Sequence, residues 1–164
     1  MSYQEKRTIV SIVTGVLLIA AYCIYAFGRV AAGLADADDL KFWGGTMLVF
    51  VGIGVAVTIV IQILFHIAMS VGIAVKERGC GEEKIEKTIK TTMTEDEMDK
   101  LIELKASKTG YYIGGMGLIA ALISLVFNGS AVIMLNIIFL SFFAGAMTEG
   151  FVSLHYYRKG IKNG

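Results

Sequence analysis

Two residues carry chemistry that an apolar environment makes expensive. His66 and Glu149 each sit inside a long run that is otherwise free of formal charge. An ionisable side chain at such a place is costly to bury, so it points first to function. Gln62, His66 and Ser70 recur every fourth residue and share one helix face, and so do Gly145, Glu149 and Ser153. His66 lies ten residues before Lys76, and Glu149 nine before Arg158. At the helical rise, both side chains are then about 14 Å from their flanking charge. Groups at one depth can meet, and a His–Glu contact in low dielectric favours imidazolium with carboxylate, or a shared proton. One reading of Gln62, His66 and Glu149 is a proton relay or part of an ion or substrate path. The other is a buried hydrogen bond that fixes how the second and fourth helices pack. The packing role is favoured, since a lone intramembrane pair is thin support for transport.

Other chemistries find less. His155 follows Glu149 by six residues and points elsewhere, so a three-ligand metal site is not expected. Asp36, Asp38 and Asp39 lack the glycine turn and distal glutamate of a calcium loop, and read as a solvated acidic loop. Cys23 lies in an apolar run and Cys80 in a charged one; they form no C-x-x-C pair and are not expected to join. There is no H-E-x-x-H, G-x-S-x-G or Walker loop. No catalytic residue, metal or cofactor is expected. A net charge of +1 gives no electrostatic case for nucleic acid.

The elements that hold these residues follow from hydropathy. Of 164 residues, 55% are hydrophobic, and the mean hydropathy of +0.68 is high for a soluble domain. A helix needs about 20 apolar residues to cross a bilayer core. Thr8–Phe27, Phe42–Val75, Thr109–Phe127 and Ala131–Tyr157 meet or approach that length. The first has Lys6 and Arg7 ahead of it but no small-residue cleavage site behind it, so it reads as a retained helix rather than a signal peptide. None of the runs alternates in polarity as barrel strands would. The expected fold is all-α: a polytopic membrane protein with a four-helix bundle, divided into a first hairpin over residues 1–75, a charged segment over 76–108 and a second hairpin over 109–164. Lys and Arg set the direction. With four spans, thirteen basic residues fall on one side and two, Arg29 and Lys41, on the other. Both termini and the charged segment are therefore expected in the cytoplasm.

The second run is 34 residues, about 50 Å as a helix. It must tilt, protrude or break, and Gly44, Gly45, Gly52 and Gly54 mark where bending or close packing is expected. In the charged segment, Gly79-Cys80-Gly81 interrupts the helix pattern, and Glu83–Lys87 and Glu86–Lys90 then support a short helix. Thr94 with Glu97 reads as a capping box opening a second helix that continues into the third span. Together they predict a cytoplasmic helical hairpin, with Met98, Leu101 and Ile102 as an apolar stripe. Its exposed charges, Asp96, Glu97, Asp99, Lys100 and Lys105, are candidates for meeting a cytoplasmic protein partner; a capped, solvated helix accounts for them equally well. Gly110, Gly114, Gly117 and Ala121 fall on one face and form a small-residue packing seam, within the bundle or across a homodimer.

The stretch Glu95-Asp96-Glu97-Met98-Asp99-Lys100-Leu101-Ile102-Glu103-Leu104-Lys105-Ala106-Ser107 resembles a group of small bacterial predicted membrane proteins of unknown function. Their shared feature is an acidic D-E-x-D-like run, then a basic and apolar stretch leading straight into a span. The resemblance covers roughly residues 95 to 157. It implies a bacterial inner-membrane protein and hints at signalling or immunity roles, and it brings no catalytic residues. The expected function is therefore non-enzymatic interaction through the charged hairpin. The alternative is a small dimeric transporter or proton-linked permease using Gln62, His66 and Glu149.

Overall fold

The computed structural model describes residues 2–76, 82–94 and 96–160. Every regular element among them is a helix: α1 (Tyr3–Ala31), α2 (Leu40–Lys76), α3 (Glu82–Met93), α4 (Glu97–Val126) and α5 (Ala131–Lys159). Four helices are long and apolar enough to cross a membrane. Gly79-Cys80-Gly81, Glu95 and the Glu83 side chain lie outside the described residues, and with them the expected break and the Glu83–Lys87 pair.

Short polar side chains start the helices by taking up the unpaired N–H groups of the first turn. Ser2 Oγ accepts from Glu5 N at 3.1 Å in α1, and Ser130 Oγ from Ile133 N at 3.3 Å in α5. At the start of α2, Asp39 Oδ1 accepts from Lys41 N at 2.9 Å and Phe42 N at 3.2 Å, while Asp36 Oδ1 accepts from Asp38 N at 3.1 Å. Two of the three loop acids thus have local structural work. At α4 the expected cap is corrected. Asp96, not Thr94, is the N-cap, and Asp99, not Glu97, closes the box. Asp99 N donates to Asp96 Oδ1 at 2.7 Å, and Asp96 N to Asp99 Oδ2 at 3.1 Å. Thr94 Oγ1 instead donates to Lys90 O, at the end of α3. Thr94 and Asp96 can both open a helix in this run; Thr94 is engaged at the end of α3 and Asp96 caps α4.

α2 is one unbroken helix of 37 residues. Its glycines do not break it: a Cβ at Gly44, Gly45 or Gly52 would meet nothing within 4 Å, and one at Gly54 would make ordinary contact with Leu18 Cδ1 at 3.6 Å. With no proline and a full hydrogen-bond ladder, nothing forces a kink.

The closest packing joins α4 to α5 along their length. Gly110, Gly114, Gly117 and Ala121 are buried and face α5 of the same chain. A Cβ on Gly145 would lie 2.6 Å from Gly110 O, and one on Gly110 would lie 3.0 Å from Gly145 O. Two backbones this close leave no room for a methyl group, which is why small residues line the crossing. The turn between the helices is as tight: Gly129 N donates to Ser124 O at 2.7 Å, and Asn128 takes φ 61°.

α1 lies against α5 and α2, and α3 against the ends of α2 and α1. The core gathers at one end of the bundle. Tyr22, Ala26, Trp43, Met47 and Val132 are buried there, with Phe50 and Phe139 packed on them. Trp43 is inside this core and donates from Nε1 to Ala37 O at 2.9 Å. Past Met47, α2 has no buried residue among those described. α1, α2 and α5 converge near the acidic loop; toward the opposite end, where Arg7, Lys76, Arg158 and Lys159 lie, α1 stays against α5 at Ile12 and Gly150 while α2 stands off from α5. That second end is called the basic end below.

Candidate functional site

At the basic end, the gap between α1, α2 and α5 is a chamber of about 700 Å³, with the first turns of α4 at its foot. Its wall changes character along its length. Toward the core it is apolar, with Leu18, Phe50, Phe143 and Met147. Toward the basic end it carries Gln4, Arg7, Gln62, Asp99, Glu103 and Glu149, besides hydroxyl groups. This combination of apolar walls with a few convergent polar groups, at this size, suits a small-molecule site.

Several of these polar residues are held by neighbours. Arg7 reaches Gln62 Oε1 from Nη2 and Gln4 Oε1 from Nη1, both at 3.5 Å. The first links α1 to α2 across the gap. Gln4 is 7% exposed, and its Nε2 donates to no acceptor among the described residues. Next to it, the Glu5 carboxylate binds Arg158 Nε at 3.0 Å and ties α1 to the end of α5. The sequence reading missed this pair; it joins residues 153 positions apart, and only the closeness of both to the same end of the bundle could have suggested it.

The expected meeting of His66 and Glu149 is not the arrangement found. Glu149 Oε1 accepts from Ser107 Oγ at 2.7 Å, and its side chain lies over Gly110. No hydrogen bond or ion pair joins it to His66 among the described residues. The physical reason is the splay: α5 keeps α4 as its near neighbour, because glycines let their backbones touch, while α2 leans away. His66 lies in a second hollow of about 340 Å³, bounded also by Tyr3, Ile63, Phe65 and Met93. The Tyr3 ring meets it edge-on at 6.4 Å. Arg7 and Gln62 line both hollows and form the partition between them. Of the three expected cluster residues, then, Gln62 and Glu149 share the chamber and His66 is next door. Ser70, on the same face as His66, donates to His66 O at 2.9 Å and contacts Met93 Sδ at 3.7 Å.

The candidate partner residues divide as well. Asp96 and Asp99 are occupied in the cap, and Asp99 also lines the chamber. Glu97 and Lys100 are exposed, and Lys105 is half-buried. The stripe beside them splits: Ile102 is 3% exposed, whereas Met98 is 53% and Leu101 is 37% exposed.

Sequence reasoning centred on the faces around His66 and Glu149 and passed over the polar contact in the core. Tyr22 is fully buried and donates from its hydroxyl to Asn136 Oδ1 at 2.9 Å, and Asn136 Nδ2 donates to Val132 O at 3.0 Å. An uncharged amide in the fourth span was the available signal, since an amide in hydrocarbon needs a partner. Among the described residues no three His, Cys, Asp or Glu side chains converge to hold a metal ion. Compared with known proteins, the chain matches no family model, no curated protein and no solved structure.

Proposed function

We propose that this is a multi-pass protein of a bacterial inner membrane, non-enzymatic, with its basic end in the cytoplasm, and that it works by holding a small amphipathic guest between its helices. The observation that carries this reading is the chamber, apolar toward the core and polar toward the basic end. A packed bundle with no such task would close the gap, because interiors pack to near-crystalline density. The guest reading keeps part of the permease alternative, since Gln62 and Glu149 line the chamber, but gives His66 no direct part in it.

The test uses the purified protein in detergent and an uncharged, alkyl-chained dye whose emission shifts to the blue in apolar surroundings. Saturable binding of one dye per chain is expected. Thr58→Trp, which fills the α2 wall of the chamber, weakens it at least about tenfold. Val60→Trp, on the exposed side of α2, leaves it unchanged. Equal binding by both variants, or partition without saturation, contradicts the reading.

A second reading has its own support. Met98 and Leu104 are exposed beside Glu97 and Lys100 at the start of α4, an arrangement that fits docking of a cytoplasmic protein partner. Loss of that partner on Glu97→Lys with Lys100→Glu, in protein that still inserts, is expected if this surface is used. Asp96 and Asp99 are unsuitable for the test because they cap the helix.

A further inference from the structure

The polar end of the chamber is unevenly charged. Its lining holds three carboxyl groups, Asp99 and Glu103 on α4 and Glu149 on α5, against one guanidinium, Arg7 on α1. That guanidinium is already engaged: it donates to Gln62 and Gln4 and has a further interaction besides. The acids are not matched in the same way. Among the described residues none of the three forms an ion pair, and Arg158, further along α5, is taken by Glu5. Hydrogen bonds do not fill their oxygens either. Glu149 Oε1 accepts from Ser107, while Oε2 has no donor among the described residues and is not sealed off. Asp99 Oδ2 accepts from Asp96 N, and the Glu103 side chain, at an exposed position, accepts no hydrogen bond among those described. Glu149 stands nine residues short of Arg158, so it is the acid set within the span. A charge there, beside apolar walls, attracts an opposite charge more strongly than the same charge in water. The remaining wall sets the rest of the guest, since Leu18, Phe50, Phe143 and Met147 continue from the acids toward the core.

We propose that the chamber binds an amphiphile with a single cationic amine head. The head lies among Glu149, Glu103 and Asp99, and the apolar body runs along Leu18, Phe50 and Met147. Complementary charge is what selects this occupant. An anionic head would meet three groups of its own sign, and an uncharged head would leave all three unanswered.

This inference rests on the chamber being a guest site, and the experiment separates the two. Three dodecanoyl-naphthalene dyes share one fluorophore and one chain. Their heads are an uncharged dimethylamino group, a trimethylammonium and a carboxylate. The full chain, in a non-ionic detergent, is titrated with each, and retained dye is counted by native mass spectrometry. One trimethylammonium dye per chain is expected, held about tenfold or more over the uncharged dye, with the carboxylate dye weakest. Glu149→Gln lowers that preference at least about fivefold and leaves the uncharged dye as it was. Glu103→Gln lowers it by about twofold, as a solvated charge does, and carries the test should Glu149→Gln fail to insert. Glu86→Gln removes an exposed charge on α3 that does not line the chamber, and leaves the preference unchanged. Equal retention of the three dyes, a preference for the carboxylate, or a cation preference untouched by both Glu149→Gln and Glu103→Gln overturns the proposal. If the uncharged dye is still retained one per chain in that case, and lost in Thr58→Trp, the chamber reading stands alone. If no dye is retained, both fall.

Discussion

Glu149 shows how a residue's role depends on what comes near it. Its depth and helix face are set by sequence, and they matched His66 as a partner. The partner found is Ser107, a hydroxyl at the start of the third span. A hydroxyl from the adjacent helix gives one carboxyl oxygen its donor. Tyr22 and Asn136 make the corresponding contact in the core. In hydrocarbon, contacts between helices gain little from apolar burial, so packing and such bonds contribute a larger share. A double-mutant cycle with Tyr22→Phe and Asn136→Val, read by unfolding in mixed micelles, should give a coupling of about 0.6–1.7 kcal/mol. Strict additivity would mean that the bond contributes nothing.

At the scale of elements, the glycines separate into those that position helices and those that do not. Gly145→Ala sets a methyl group against Gly110 O and should destabilise the α4–α5 pair by about 1–3 kcal/mol, as overpacking does. Gly115 faces open space, so Gly115→Ala should be neutral or stabilising by up to about 1 kcal/mol. Thermal unfolding of both variants in one detergent compares them directly. The start of α4 gives another contrast. Asp96→Ala should cost about 1 kcal/mol and speed amide exchange at the first turn of α4, while Thr94→Ala leaves that turn unchanged. The sequence showed that a box of short polar residues opens this helix, but not which pair. Thr94–Glu97 and Asp96–Asp99 have the same spacing, and in the fold Thr94 is taken up by Lys90 O at the end of α3 while Asp96 and Asp99 close the box.

For the whole molecule, the count of four long apolar helices and the run of α4 into the third apolar segment were legible in the sequence, since both follow from hydropathy and the absence of proline. The small-residue face on Gly110 and Gly114 was legible too, although its partner, α5 of the same chain, was not. The chamber was not legible at all. It arises because α2 has no buried residue past Met47 among those described, whereas α4 is held to α5 by a glycine seam. Hydropathy cannot distinguish these helices; side-chain volume at each crossing does. The functional proposal needs the polar end of the chamber to lie in the cytoplasmic leaflet, and this depends on the excess of Lys and Arg at that end. Single cysteines at Asp38 and at Lys100, in a chain with Cys23 and Cys80 replaced by serine, test it with a membrane-impermeant maleimide on intact bacterial cells. The cysteine at 38 should be labelled from outside, and the one at 100 only after lysis. Labelling of both from outside, or of 100 alone, would contradict the account.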